Sequence, residues 1–275
     1  MKQNLHTHTL YCDGKDSVEE MVLEAINRNF DGLGFSGHGN NILFDPCSMD
    51  DERESKYRND IFSAQEKYGD RITLYLGIEE DSIGKRFSHD EYEYIIGSVH
   101  FLEKNGEVAP IDYSRARFEQ ILHDWYADDM LAMAADYYEA VKEVASRDEV
   151  DVIGHIDLIS KYNENNAYFD FEDPAYLELA KDAINTAILN DKIIEMNTGA
   201  IARGYRTKPY PHLQLLKYIQ EKGGKICVNT DCHNRFDLDR GYEDCLSLAK
   251  MSGFKEIYAL SNDGFYPVKI EDWNV

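Results

Sequence analysis

Short apolar runs recur along this chain, and most of them stop on a histidine or an acid. Gly32–Ser36 leads to Gly37-His38, Arg71–Ile78 to Glu79, Tyr94–Val99 to His100, Val152–Gly154 to His155, and Lys225–Thr230 to Asp231. Stretches with helical spacing separate them. Ser17 and Glu20 have the separation of a capping box, and Val18, Met21, Val22, Ala25 and Ile26 share one face of a helix over 18–29. Further helices are expected over 58–68, 116–146, 175–190, 212–222 and 242–251, and further strands over 192–197 and 256–261. Residues 39–56 read as irregular chain and 103–115 as a polar connection. Strand and helix alternate with no linker, so residues 1–275 are expected to form a single α/β domain of parallel strands joined by crossover helices. In such folds the C-terminal ends of the strands face one rim. A closed barrel is favoured over an open doubly wound sheet, because a ring lets residues from almost every strand converge.

The opening stretch, MKQNLHTHTLYCDGK, sharpens what would converge there. On an extended strand His6 and His8 point to the same face, and Asp13 follows in the next loop. With His38, Glu79, His100, His155, Asp231 and His233 they make nine candidate metal ligands, all at strand ends or just beyond. His89 in a polar loop, His123 inside a helix and His212 at a helix start stand apart and read as ordinary histidines. Nine ligands exceed the four that satisfy one zinc ion, so two or three ions sharing a bridging carboxylate fit better. Imidazole with carboxylate suits Zn, Fe or Mn. Alternation should turn Cys232 away from its neighbours Asp231 and His233. The five cysteines include no C-x-x-C pair, as expected of reduced thiols in a cytoplasmic protein.

A formal charge of −23 repels nucleic-acid phosphate and anionic membrane surfaces, which argues against both as main partners. No run approaches the roughly 20 apolar residues of a membrane span, and the N-terminus carries no apolar signal core. An anionic substrate therefore needs local positive charge. Three divalent ions set against Asp13, Glu79 and Asp231 would leave a net charge of roughly +3, a sink for hydroxide and phosphate.

The runs His6-Thr7-His8, Ser36-Gly37-His38, Gly77-Ile78-Glu79, Ser98-Val99-His100, Gly154-His155 and Asp231-Cys232-His233 resemble, in order, the motifs of the PHP (polymerase and histidinol phosphatase) superfamily. The resemblance implies a distorted (β/α)7 barrel with a trinuclear metal site at the C-terminal ends of the strands. It assigns one ion to His6, His8, Glu79 and Asp231, a second to Glu79, His100 and His155, and a third to Asp13, His38 and His233. It also implies catalysis carried by Glu79, Asp231 and His233, with a metal-bridging hydroxide attacking phosphorus. Two positions depart from the pattern: some relatives have His at Asp13, and the usual Ser-Asp-His run is Ser36-Gly37-His38 here. Asp81 and Asp157 lie near ligands, as proton donors to the leaving group or as partners that orient a histidine.

The segment Asn197–Pro211 (NTGAIARGYRTKPYP) is similar to that of the histidinol-phosphate phosphatase branch. Its Arg203 and Arg206 would bind the substrate phosphate as planar forks. This resemblance implies hydrolysis of L-histidinol phosphate, a small phosphate monoester, to L-histidinol and phosphate in histidine biosynthesis. A related phosphoesterase acting on nucleotides or nucleic-acid ends would instead show a basic track beside the site. A metal-binding module that had lost catalysis would show replaced ligands.

Overall fold

A computed structural model describes residues 1–41 and 47–274. The chain opens with strand β1 (Gln3–Asn4), helix α1 (Val18–Asn27), β2 (Gly32–Phe35), α2 (Asp51–Tyr68), β3 (Thr73–Asp81) and β4 (Tyr94–Ser98). A hairpin, β5 (Phe101–Lys104) and β6 (Glu107–Pro110), leads to α3 (Arg115–Tyr126) and α4 (Met130–Ala145). Then come β7 (Val152–Ile153), α5 (Pro174–Leu189), β8 (Ile193–Asn197), the single turn α6 (Gly199–Ala202), α7 (Leu213–Glu221) and β9 (Lys225–Asn229). The remainder is α8 (Tyr242–Met251) and a second hairpin of β10 (Glu256–Ser261) and β11 (Gly264–Lys269). Seven strands lie parallel in the order β1-β2-β3-β4-β7-β8-β9 and curl into a nearly closed barrel, as expected.

Alternation along the strands builds two cores. Leu74 and Leu76 of β3 pack outward in the large cluster beneath the helices. Tyr75 between them joins Leu5, Tyr94, Ile96, Val152, Ile193, Cys227 and Leu260 in a smaller inner cluster. Tyr94 fits there because a Cβ at Gly77 would lie 2.2 Å from its ring. The glycine two residues before Glu79 is thus a packing requirement. Tyr94 in turn donates its hydroxyl to the Leu5 carbonyl, 2.5 Å away, and so steadies the strand end that carries His6.

The barrel closes between β1 and β9 through side chains more than through a backbone ladder. Asn229 Oδ1 accepts from the Leu5 N–H at 2.8 Å, and Asn4 Oδ1 accepts from the Thr230 N–H at 3.2 Å. Past the strand ends, Thr7 and Cys232 form a parallel bridge in which the His8 N–H donates to the Cys232 carbonyl at 3.0 Å. Gln3 repeats the device toward β10, donating to the Leu260 carbonyl at 2.9 Å and accepting from its N–H at 2.7 Å. A carboxamide carries both a donor and acceptor, so it can replace a peptide group in a ladder.

The structure corrects the expected elements in four places. The polar connection over 103–115 contains most of the β5–β6 hairpin. The single helix over 116–146 is two, broken where Ala127 (φ 50°) and Asp128 (φ 68°) turn left-handed. The helix expected over 58–68 begins at Asp51, because Asp50 caps it by accepting from the Arg53 N–H. The irregular stretch is shorter accordingly, and its residues 42–46 lie outside the described residues. Finally, the strand over 256–261 does not extend the parallel sheet; it pairs antiparallel with β11. Among the described residues, no helix is long and apolar enough to cross a membrane.

The seam yields a stability prediction. Asn229→Ala leaves the buried Leu5 N–H without its acceptor and removes a donor from the buried Glu195, lowering the unfolding free energy by about 2–4 kcal/mol. Denaturant unfolding of the metal-free protein measures this, and a loss under 1 kcal/mol would contradict a structural seam.

Candidate metal centre

All nine expected ligands meet at the C-terminal mouth of the barrel. The chain leaving β1 delivers His6 and His8 side by side, both fully buried, with ring centroids 5.2 Å apart. Glu79 lies within β3 and not after it, where its parallel bridge to His38 brings in the chain beyond β2. Its Oε2 lies 3.3 Å from His6 Nε2, 3.7 Å from His8 Nε2 and 2.9 Å from His38 Nδ1. Its Oε1 lies 3.3 Å from His155 Nε2 and 3.6 Å from His100 Nε2. Asp231 Oδ1 lies 3.1 Å from His8 Nε2, and Asp13 Oδ2 lies 3.1 Å from His233 Nε2.

Three overlapping groups of ligand atoms are close enough to hold a cation: His6, His8 and Asp231; His38, Glu79 and His100; and His8, Asp13, His38 and His233. His8 and His38 each fall in two groups. His155 is in none of them and reaches the cluster through Glu79. The fit to metal ions rests on four atoms: His6 Nε2, His8 Nε2, Asp13 Oδ1 and Glu79 Oε2 are buried and lack hydrogen-bond partners among the described residues. Buried polar atoms of this kind demand a partner, and lone pairs of imidazole and carboxylate converging together suit a cation.

A second layer of residues fixes the ligands. Glu195, fully buried on β8, places Oε1 2.7 Å from His6 Nδ1. It is itself held by the His155 N–H at 2.8 Å, Asn197 Nδ2 at 2.8 Å and Asn229 Nδ2 at 3.0 Å. Asp81 Oδ2 lies 2.8 Å from His100 Nδ1, and the Ser98 hydroxyl donates to Glu79 Oε1 at 2.6 Å. Such partners set tautomer and ring orientation. Asp81 thus orients a histidine in the structure. Asp157 Oδ2 instead accepts from the His212 N–H at 2.9 Å. Cys232 does turn away, toward Asn4, whereas Cys12 lies 3.5 Å from His8 Nδ1.

Glu195 was absent from the expected site. The signal was there, a lone acid inside the apolar strand Ile193–Asn197, where an unpaired carboxylate would be costly.

Burial works against every charge in this cluster, and the neighbours override it. His6 is desolvated, yet Glu195, Glu79 and Asp231 hold its pKa well above the usual range. His38 is raised by Glu79 and Asp13 against the same burial, and His100 is raised to about 9 by Glu79 and Asp81. His8 goes the other way, down to about 3, through burial and then the nearby His233 and His38. Burial would raise Glu79 too, but His6, His38 and His100 keep it well below the carboxylate range. Asp231 is likewise held down, against burial, by Arg203 and His6. The protein without metal therefore stores protons on imidazoles that face ionised carboxylates.

The cluster opens into a cleft of about 260 Å³. Arg203 lines it, donating from Nη2 to Asp231 Oδ2 at 2.8 Å and lying 3.0 Å from His233 Nδ1 through Nη1. Arg206 is placed elsewhere, which corrects the expectation that both arginines reach the rim. It is buried, bonded to Ser160 and stacked on Phe171 and Tyr210. The second cation lining the cleft is Lys161, paired with Asp112 at 3.1 Å. Neither residue was expected there, since in sequence both sit in segments without periodic pattern.

A seven-stranded parallel barrel with a histidine–carboxylate mouth defines the class of protein. The PHP domain family model matches residues 4–199, and the chain belongs to that family. A probable histidinol-phosphatase of Schizosaccharomyces pombe is 26% identical over 262 residues, covering 86% of this chain and 82% of that one. One of Deinococcus radiodurans is 24% identical over 254 residues, covering 88% and 90%. Among solved structures, a histidinol phosphatase of Listeria monocytogenes, named as putative, superimposes with a TM-score of 0.77 at 22% identity, covering 88% of this chain and 99% of its own. The histidinol phosphate phosphatase of Lactococcus lactis, solved with zinc, L-histidinol and phosphate, gives 0.73 at 20% identity, covering 96% and 98%.

Two outcomes are expected from this geometry. Glu195→Gln removes the charge that supports His6 and weakens zinc retention about 10- to 100-fold, measured by chelator competition. Zinc loading at pH 7 releases protons, because His6, His38 and His100 hold theirs without metal and must be neutral to bind it. Apparent affinity therefore rises with pH, and the share from His100 disappears above about pH 9. Calorimetry in buffers of differing ionisation enthalpy reads the proton count; zero release at pH 7 would contradict the assignment.

Proposed function

We propose that this protein is a metal-dependent phosphomonoesterase that hydrolyses L-histidinol phosphate to L-histidinol and inorganic phosphate, using two to three divalent ions of Zn, Fe or Mn. The observation that carries the reading is the set of four unpaired buried atoms on His6, His8, Asp13 and Glu79, of which Asp13 and Glu79 line a cleft shared with Arg203 and Lys161. The names of the relatives from S. pombe and D. radiodurans, and the L-histidinol and phosphate in the L. lactis structure, support the choice of substrate.

His6, His8, Glu79 and Asp231 would hold one ion, Glu79 with His100 and His155 a second, and Asp13 with His38 and His233 a third. Bound there, divalent ions supply Lewis acidity, making water nucleophilic at neutral pH and neutralising phosphoryl oxygens. The chain supplies the rest. Glu79, Asp231 and His233 line the cleft and present their ligand atoms to it, which is how they would carry catalysis. Arg203 presents a planar guanidinium to two phosphoryl oxygens, and Lys161 adds a point charge from the opposite segment. Glu195, Asp81 and Ser98 keep the ligand rings and the Glu79 carboxylate from rotating as charge moves to the leaving group. Burial of His6, His8 and Glu79 excludes bulk water from the base of the site, which strengthens every one of these interactions.

A phosphate-release screen of L-histidinol phosphate against nucleotide monophosphates and DNA ends tests the reading. Histidinol phosphate should exceed the others by at least about 100-fold in kcat/KM, and comparable rates on all would refute it. Arg203→Ala should lower kcat/KM about 10- to 100-fold, the loss expected when a charged hydrogen-bond pair is removed. Fewer than two ions per chain after purification without chelator would defeat the multinuclear centre.

A further inference from the structure

Arg206 turns away from the cleft, yet its buried guanidinium lies between two of the segments that line it. It belongs to the chain that follows Arg203, where the Tyr205 and Arg206 N–H groups both donate to the Ala200 carbonyl, at 2.9 and 3.2 Å. Its side chain crosses to the other segment. Nη1 donates to the Ser160 hydroxyl and to the Ser160 carbonyl, the latter at 3.3 Å. Ser160 in turn closes a tight turn, its N–H donating to the Asp157 carbonyl at 2.9 Å and its hydroxyl to the same oxygen at 2.6 Å. The turn begins at His155, whose carbonyl accepts from the Leu158 N–H at 2.8 Å. It ends at Lys161, whose N–H donates to the Leu158 carbonyl at 2.8 Å. A histidine of the metal cluster and the lysine of the cleft thus stand at the two ends of one turn, and Arg206 grips it next to Lys161.

Two other contacts join the same segments: the His212 N–H donates to Asp157 Oδ2 at 2.9 Å, and the Thr207 hydroxyl donates to Glu164 Oε1 at 2.6 Å. Arg206 is the cation among these ties. It is 5% exposed, its guanidinium carbon lies 5.1 and 5.0 Å from the Phe171 and Tyr210 rings, and its Nε has no hydrogen-bond partner among the described residues. Burying a guanidinium is costly, and an apolar side chain of similar volume is commonly at least as stabilising. An apolar side chain could not, however, hold both oxygens of Ser160. Lys161 depends on such a hold, because its charge sits on a flexible four-carbon stem and shares the cleft with the like charge of Arg203. We infer that Arg206 is a positioning residue: by clamping Ser160 it fixes Lys161, and so sets the spacing between Lys161 and Arg203, the two cations of the cleft. It acts through Lys161 and touches no substrate. The inference deepens the reading of the cleft as a phosphate site and rests on that reading for its kinetic consequence.

The test uses the metal-loaded enzyme and two readouts. The first is labelling of Lys161 by a succinimidyl ester, read by mass spectrometry against the other lysines of the chain. Lys161 is 6% exposed, and Arg206→Met should raise its labelling rate about 5- to 50-fold while the other lysines keep theirs. The second is a double-mutant cycle with Lys161→Ala, read as kcat/KM on L-histidinol phosphate. Arg206→Met should lower kcat/KM about 10-fold in the wild type and less than about twofold in the Lys161→Ala background. Unchanged labelling of Lys161, or losses that simply multiply across the cycle, overturns the inference; a residue needed only for stability gives that result. Arg206→Lys keeps the charge near Asp157 and loses the fork, so it should fall between Arg206→Met and wild type on both readouts. It supplies the same readings should Arg206→Met fail to fold. Labelling that rises while Lys161→Ala leaves kcat/KM unchanged would refute the phosphate role of Lys161 and support the clamp.

Discussion

The structure depends on keeping one buried carboxylate charged. Glu79 is about 2% exposed, surrounded by imidazoles, and removed from the water that would ordinarily solvate it. An isolated carboxylate in such a place would take up a proton. Here each oxygen faces several imidazole nitrogens, and Ser98 donates a hydrogen bond as well. Those imidazoles need anchoring in turn, and Glu195 and Asp81 provide it from two different strands. Compensation therefore passes outward from carboxylate to imidazole to carboxylate, and around Glu195 it ends in asparagine amides and a backbone N–H. A parallel barrel suits this arrangement because every strand presents one end to the same mouth.

Much of this was legible in the sequence because period-two and period-3.6 patterns are local. Most of the parallel strands and most helices follow from short apolar runs and capped amphipathic stretches, and the nine clustered side chains follow from their position at strand ends. The residues that sequence reading missed depend on contacts across the chain. Glu195 touches His6 from 189 positions away, and Lys161 meets Asp112 from 49. Nothing local marks either encounter, although an acid in the middle of an apolar strand is a clue. Arg206 illustrates the opposite error. A cation three residues after Arg203 resembles a second phosphate ligand, yet the chain turns and buries it against Phe171 and Tyr210.

Asp13 and Gly37 each shape the cluster locally. The Asp13 carboxylate sits between His8, His38 and His233 within 3.1 to 3.7 Å. That corner thereby gains a negative charge that the neighbouring imidazoles balance. At Gly37 the lack of a side chain leaves room for Cys12, whose sulfur would lie 3.2 Å from a Cβ there. The thiol then lies 3.5 Å from the outer nitrogen of His8, where His6 has Glu195. His6 Nδ1 therefore faces one carboxylate at 2.7 Å, whereas His8 Nδ1 is shared between the thiol and the Asp13 carboxylate, 3.6 Å away.

The amide-stitched junction of the barrel also bears on how the protein is made. Leu5 and Asn229 are joined across 224 positions of sequence, and the two sides of that junction carry His6 and His8 on one hand and Asp231 and His233 on the other. At the usual pace of about 5–20 residues per second, roughly 10 to 45 s of synthesis separate the two halves. During that interval the amino-terminal histidines have been translated and Asp231, one of their carboxylate partners, has not. The nascent chain therefore holds part of the histidine–carboxylate cluster in a half-built sheet, and the complete cluster is among the last features to assemble on the ribosome.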